Sequence, residues 1–108
     1  MLVTTTSSLD GLPVRTYLGI VSGEAINGAN VIKDFFASIT DAIGGRSGTM
    51  EKVFRNTREA ALEEMAKQAI AMGANAVIGV DIDYEVMGAK NGMVMVTATG
   101  TAVIVQTR

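Results

Sequence analysis

Two stretches in the last third of the chain alternate apolar with other side chains, which is the pattern of β-strands that have one covered face. In residues 76–86, one face takes Ala76, Ile78, Val80, Ile82, Tyr84 and Val86, and the other takes Val77, Gly79, Asp81, Asp83 and Glu85. In residues 93–106, one face takes Val94, Val96, Ala98 and Ile104, and the other takes Met93, Met95, Thr97, Thr99 and Thr101. The pattern predicts two strands of one sheet.

A hairpin with residues 88–92 as its loop joins these two strands. One register keeps both faces chemically uniform, because a slip of one residue would turn every side chain to the opposite face. The cross-strand pairs of that register are Met87 with Met93, Tyr84 with Val96, and Asp83 with Thr97. The polar face of the hairpin then carries carboxylates beside threonines.

The first 26 residues predict two further strands. Residues 2–6 are mainly β-branched, and residues 14–26 form a long strand in which Gly19 and Gly23 suggest a bulge or a close approach of another backbone. A turn signal at residues 10–13 indicates a reversal of the chain between these strands.

Apolar residues at helical spacing predict two helices between the strand pairs. Asn30 caps the first helix, Gly44 and Gly45 end it, and its apolar positions are Ile32, Phe35, Phe36, Ile39 and Ile43. The second helix starts after Ser47 or Thr49, runs to about Met72 and ends at Gly73 as a left-handed cap. Its buried stripe comprises Met50, Val53, Phe54, Thr57, Ala61, Met65, Ala69 and Met72.

These elements predict an α+β fold in one domain, residues 1–108. The expected order is β-β-α-α-β-β, in two layers: an antiparallel sheet and two helices on one of its faces. The high apolar share of 48% and the mean hydropathy of +0.32 indicate that another copy of the chain covers part of this surface. We therefore expect a cyclic homo-oligomer.

Composition excludes several classes of function. The chain has no cysteine and no histidine, which excludes disulfides, thiolate and imidazole metal sites and a cysteine nucleophile. A net charge of −2 argues against nucleic acid as a partner. No apolar run approaches the roughly 20 residues of a membrane span, and the N-terminus does not read as a secretory signal, so we expect a cytoplasmic protein without a membrane partner. No cofactor is expected.

Two longer stretches indicate a relationship to known proteins more specifically than the periodic patterns do. Residues 23–49 read GEAINGANVIKDFFASITDAIGGRSGT, and residues 71–85 read AMGANAVIGVDIDYE. Together with MVMVTATGTAV at residues 93–103, they closely resemble the YbjQ family of small bacterial and archaeal proteins, which are often labelled heavy-metal-binding. The resemblance covers essentially the whole chain, and it implies a two-layer α+β subunit that assembles into a cyclic pentamer with no established activity.

The first candidate site is the row of carboxylates Asp81, Asp83 and Glu85, which lie about 6.5–7 Å apart on one strand face. Oxygen ligands suit hard cations such as Ca²⁺ or Mg²⁺, so the row supplies one or two ligands of a metal site that another strand or subunit completes. The alternative, which we favour, is a solvated acidic stripe. A soft heavy metal is disfavoured because only methionine thioethers are available as soft ligands.

The second candidate site is the segment Gly44, Gly45, Arg46, Ser47, Gly48 and Thr49. Free backbone N–H groups at a helix N-terminus and a guanidinium suit a small anion such as phosphate or carboxylate. In the alternative, which we favour, the glycines form a tight connection between helices, Ser47 or Thr49 is the cap, and Arg46 binds a carboxylate of a neighbouring protomer.

These observations favour a homo-oligomeric binding or scaffold protein, pentameric if it follows the family. Its ligand, a small anion or ion of unknown identity, would lie at a subunit boundary. Two alternatives remain open: an enzyme with acid-base chemistry between subunits, carried by carboxylates or by Lys33, and a purely structural oligomer. No catalytic residue is assigned.

Overall fold

The computed structural model describes residues 1–27, 46–87 and 93–107, and within these it contains four strands and one long helix. The elements are β1 (Leu2–Val3), β2 (Val14–Asn27), α1 (Arg46–Ala71), β3 (Ala76–Met87) and β4 (Met93–Val105). The strands form a single sheet in the order β1-β3-β4-β2. The predicted α+β class is confirmed, whereas the expected helix over residues 30–43 lies outside the described residues.

The antiparallel pairing of β3 with β4 has the register that the alternation predicts. Its pairs include Met87 with Met93, Tyr84 with Val96, and Asp83 with Thr97. The helix-facing side of the sheet is the apolar one, since Val94, Val96 and Ala98 are buried in one cluster with Met65 of α1. The threonines and carboxylates therefore lie on the side of the sheet that α1 does not cover, which we call the open face.

The expectation of an entirely antiparallel sheet is wrong at β1. This strand is only two residues long and pairs in parallel with β3, at the edge opposite to β2. The turn near Gly11 exists, but it belongs to a connection that crosses one end of the open face instead of a hairpin. The crossing places Leu9 and Leu12 against a second buried cluster, which consists of Ala76, Ile78, Val103 and Val105. Burial of these residues explains why the chain crosses over the sheet.

The predicted face alternation of β3 fails at Gly79. The register shifts by one residue between Ile78 and Asp81, and Gly79 has a φ of 61°, the left-handed conformation of a β-bulge. Val77 therefore joins the helix-side core, while Ile78 lies on the open face. The Gly79 amide donates to the Thr6 carbonyl oxygen at 2.8 Å, so the segment that follows β1 supports the bulge.

Helix α1 lies over β2 and β4 and runs antiparallel to β2. The predicted stripe is confirmed for its residues at four-residue spacing, all of which are buried: Val53, Thr57, Ala61, Met65 and Ala69. Met72 is wrongly included, because it lies beyond the helix and is exposed. Gly73 ends the helix as predicted: its amide donates to the Ile70 carbonyl oxygen, and the Ala74 amide donates to that of Ala69, which together form a Schellman motif.

At Gly23 the backbone of the sheet comes close to the helix. A Cβ atom at this position would lie 2.1 Å from the carbonyl oxygen of Ala61 and 2.5 Å from the amide nitrogen of Met65. The predicted close approach at Gly23 is therefore confirmed, and the predicted bulge lies at Gly19, where the β2–β4 register shifts.

Candidate functional site

The three carboxylates of β3 lie on the open face, as the alternation predicts. Asp81 pairs with Thr99, Asp83 with Thr97, and Glu85 with Met95 of the neighbouring strand. All three carboxylate side chains are exposed. The sheet holds them in a row instead of turning them toward a common centre.

Asp81 and Asp83 interact with each other. A hydrogen bond between the two carboxyl groups and the nearby negative charge of Asp81 raise the pKa of Asp83 above its usual value of 3.8. Across residues 1–27, 46–87 and 93–107, no three acidic side chains converge on a point that a metal ion could occupy. Asp83 therefore holds its proton more readily than an isolated aspartate, and the metal assignment stays a prediction.

Glu24 belongs to the same acidic surface, although the sequence patterns did not place it there. It pairs with Thr97 from β2, and Asp83 pairs with the same threonine from β3. The two carboxylates thus flank the central strand at a separation of roughly 10 Å, twice the spacing of neighbouring strands. Only the pairing of β2 with β4 could have revealed this row, because the two residues are far apart in sequence.

The segment before the long helix is described only in part. Gly44 and Gly45 lie outside the described residues, and Arg46, Ser47, Gly48 and Thr49 form the first turn of α1. The helix begins at Arg46, so the expectation that Ser47 or Thr49 caps it from outside is wrong.

A groove that the sequence did not predict lies between α1 and β3. Any helix is about 10 Å wide and neighbouring strands are about 4.8 Å apart, so one helix covers about two strands. In this chain, α1 covers β2 and β4. Val77 and Val80 of β3 are still buried on this side, but toward the end of the strand Tyr84 is 48% exposed among the described residues. The groove has a volume of about 470 Å³ and is lined by Glu51, Phe54, Arg55, Arg58 and Tyr84.

One wall of the groove is aromatic. The rings of Phe54 and Tyr84 meet edge to face, with centroids 5.8 Å apart and planes inclined at 81°. This contact links the first half of α1 to the exposed end of β3. Edge-to-face pairs of this kind add about 0.5–1.5 kcal/mol beyond the burial of their area.

The charged side chains of the groove do not neutralise one another. Glu51 and Arg55 are spaced for an ion pair on the helix, but their charged atoms are not within 4.0 Å of each other. Glu63 and Lys67, which have the same spacing, do form an ion pair, at 3.8 Å. Arg58 has a contact of 3.6 Å to Glu59, beside it in sequence. The groove thus presents two guanidinium groups and one carboxylate.

Comparison with solved structures supports the fold. The chain is similar to the crystal structure of a DUF74-family protein of unknown function from Pediococcus pentosaceus, with a TM-score of 0.69 and 15% sequence identity. The alignment covers 98% of each chain. At this identity the likeness shows a shared fold and no shared ligand. Within the part of the chain that the structure describes, no helix is long and apolar enough to cross a bilayer.

Comparison with protein families agrees with the resemblance seen in the sequence. The profile that matches residues 1–106 is that of YbjQ, described as "putative heavy-metal-binding". The match takes in β1, β2, α1, β3 and β4. This chain belongs to the YbjQ family.

Proposed function

We propose that the protein is a cytoplasmic homo-oligomeric binding or scaffold protein, whose copies form a ring and hold a small anion or ion where two subunits meet. The observation that carries this proposal is the apolar surface of β2 on the open face. Ile20, Tyr17 and Ile26 are 82%, 70% and 56% exposed in the single chain. Apolar side chains grouped in this way on one strand are typical of a surface that a partner covers.

The position of these residues favours a partner that packs on the face of the sheet. Ile20 and Ile26 pair with Thr101 and Met95, which lie on the same face of the central strand. The partner surface has to be different from this one if the assembly is a ring, because cyclic assemblies with more than two members use two different surfaces of each subunit. Exposed Ile70 near the end of α1 provides a second apolar surface, on the helix layer.

A lysine at position 20 tests this proposal. Ile20→Lys places a charge in the centre of the proposed contact, and we expect the mass in solution to fall toward that of one chain. Ala60→Lys introduces the same charge at an exposed position of α1 and is expected to leave the mass unchanged. A variant Ile20→Lys that keeps the mass of the unaltered protein would contradict a contact through β2.

Arg46 is proposed to act at the subunit boundary. If its guanidinium binds a carboxylate of the adjacent copy in a buried setting, Arg46→Ala should weaken the oligomer by about 3–5 kcal/mol, because the partner carboxylate loses its counter-charge. If it binds a ligand anion instead, the variant should assemble and melt normally but lose stabilisation by phosphate. Unchanged assembly would therefore indicate that Arg46 binds the ligand anion and not the adjacent subunit.

The two alternative functions have distinct signatures. An enzyme with acid-base chemistry needs a lysine such as Lys33 within hydrogen-bond distance of a carboxylate in a pocket, and Lys33 lies outside the described residues. A purely structural oligomer binds nothing, so no ligand would raise its melting temperature.

A further inference from the structure

We propose that the groove between α1 and β3 binds a small aromatic carboxylate, a flat apolar ring that carries one negative charge. This inference goes beyond the proposed function, because it names a class of ligand and a site formed within one chain instead of between two subunits. It does not depend on contact between copies. The volume of the groove, about 470 Å³, lies within the range of about 300–1,000 Å³ that is usual for small-molecule sites.

The aromatic walls of the groove would contact the ring of the ligand. Phe54 is half-buried and Tyr84 half-exposed, and their edge-to-face contact leaves part of the tyrosine ring open to the groove. A flat apolar body placed there would cover aromatic surface that water now contacts. Aromatic walls with a few polar groups at the rim are typical of small-molecule sites.

Guanidinium groups on α1 would bind the negative charge of the ligand. Arg55 and Arg58 are three residues apart, so both guanidinium groups emerge from neighbouring positions on one side of α1. Arg58 lies within 3.6 Å of Glu59, whereas Arg55 has no ion-pair partner within 4.0 Å among the described side chains, so Arg55 is the guanidinium available to a ligand carboxylate. A guanidinium can hold a carboxylate through two parallel hydrogen bonds, which favours a carboxylate over a neutral polar group.

The test measures 1-naphthoate binding by calorimetry to the full chain. Naphthoate should bind saturably, and acetate, which lacks the ring, and 1-naphthylmethanol, which lacks the charge, should each bind at least about tenfold more weakly. Arg55→Gln and Tyr84→Leu should each weaken naphthoate binding by about tenfold or more. Glu51→Gln should strengthen it, since this variant removes the opposing charge.

The matched control is Arg15→Gln, which removes the same charge on β2. By the strand register this position lies roughly 30 Å from Tyr84, and we expect unchanged binding. Melting curves of all variants check that each folds. Absence of saturable binding, equal loss in the control, or a crystal structure in which another part of the chain or another copy fills the groove would overturn the proposal.

Light scattering on the same samples separates this inference from the proposed assembly. A monomer that binds naphthoate through Arg55 supports the groove and contradicts the ring. An oligomer that does not bind naphthoate supports the ring and contradicts the groove.

Discussion

The backbone amide of Ser22 donates a hydrogen bond to the side-chain oxygen Oε1 of Gln68 across 2.7 Å. Ser22 lies in β2, which is the outer strand of the sheet, so its amide points off the sheet edge instead of toward β4. The side chain from α1 thus occupies an edge position that a strand from another molecule would need. Proteins commonly protect exposed strand edges in this way against unwanted pairing.

We expect Gln68→Leu to lower the free energy of unfolding by about 1 kcal/mol, since it removes this hydrogen bond, and to increase aggregation through the exposed edge. Urea unfolding and the rate of turbidity increase on mild heating measure the two effects. Gln68→Glu keeps an acceptor oxygen and should preserve both properties. A leucine variant as stable and as soluble as the unaltered protein would show that the contact does not protect the edge.

Gly23→Ala should be among the most destabilising single changes in the chain. Its Cβ would overlap the backbone of α1, so the helix has to move away from β2, at a cost of about 3 kcal/mol or more. Gly11→Ala is the comparison, because a Cβ there meets no atom within 4 Å and only the φ of 75° opposes it, at about 1–2 kcal/mol. Chemical unfolding of both variants measures the difference, and equal losses would contradict the close approach.

The Asp81–Asp83 pair should make the stability of the fold depend on pH. The raised pKa of Asp83 means that the folded chain holds this proton more tightly than the unfolded chain. The stabilising contribution is therefore fully present below the usual aspartate pKa of 3.8, and it is lost as the pH rises through the higher pKa of the folded state.

Asp81→Asn removes the neighbouring charge, so we expect this variant to melt at a higher temperature than the unaltered protein at pH 7. The difference should shrink at acid pH, where both carboxyl groups are protonated. Asp10→Asn, at an exposed turn, is the matched control and should change the melting temperature less. A lower melting temperature of Asp81→Asn at pH 7 would contradict repulsion within the pair.

Several features of the fold follow from sequence because neighbouring residues decide them. The β3–β4 register depends on the uniform faces of two strands joined by a short loop, and the helix end depends on Gly73. The position of β1 could not be predicted in the same way. The segment after it packs Leu9 and Leu12 against a cluster that includes Ala76 and Val103, which are far from β1 in sequence. The bulge at Gly79 likewise inverts the alternation of Ala76 and Ile78, although each residue type fits a regular strand.

The candidate sites also differ in whether residues that are close in sequence decide them. The open face of Asp81, Asp83 and Glu85 was predictable from alternation, whereas Glu24 joins it only through the pairing of β2 with β4. The groove beside Phe54 and Tyr84 was not predictable, because it arises from the lateral position of α1 over the sheet. Spacing along the helix gives the stripe that is buried, but it does not say which strands that stripe covers.

The family description can be tested directly with metal ions. We expect Zn²⁺, Cu²⁺ and Cd²⁺ to bind no more tightly than to an ordinary acidic protein, because the chain offers carboxylate and thioether ligands but no thiolate or imidazole. Calorimetry at neutral pH on the unaltered protein and on the Asp81→Asn/Asp83→Asn double variant measures this. Tight, stoichiometric binding that the double variant loses would show that the acidic face is a heavy-metal site.

The mass of the protein in solution tests the central claim most directly. Static light scattering coupled to size-exclusion chromatography, at micromolar concentration, should report several times the chain mass of 11.3 kDa, and about five times that mass for the pentamer that the family resemblance implies. A single monodisperse species of 11.3 kDa would contradict assembly through the exposed face of β2.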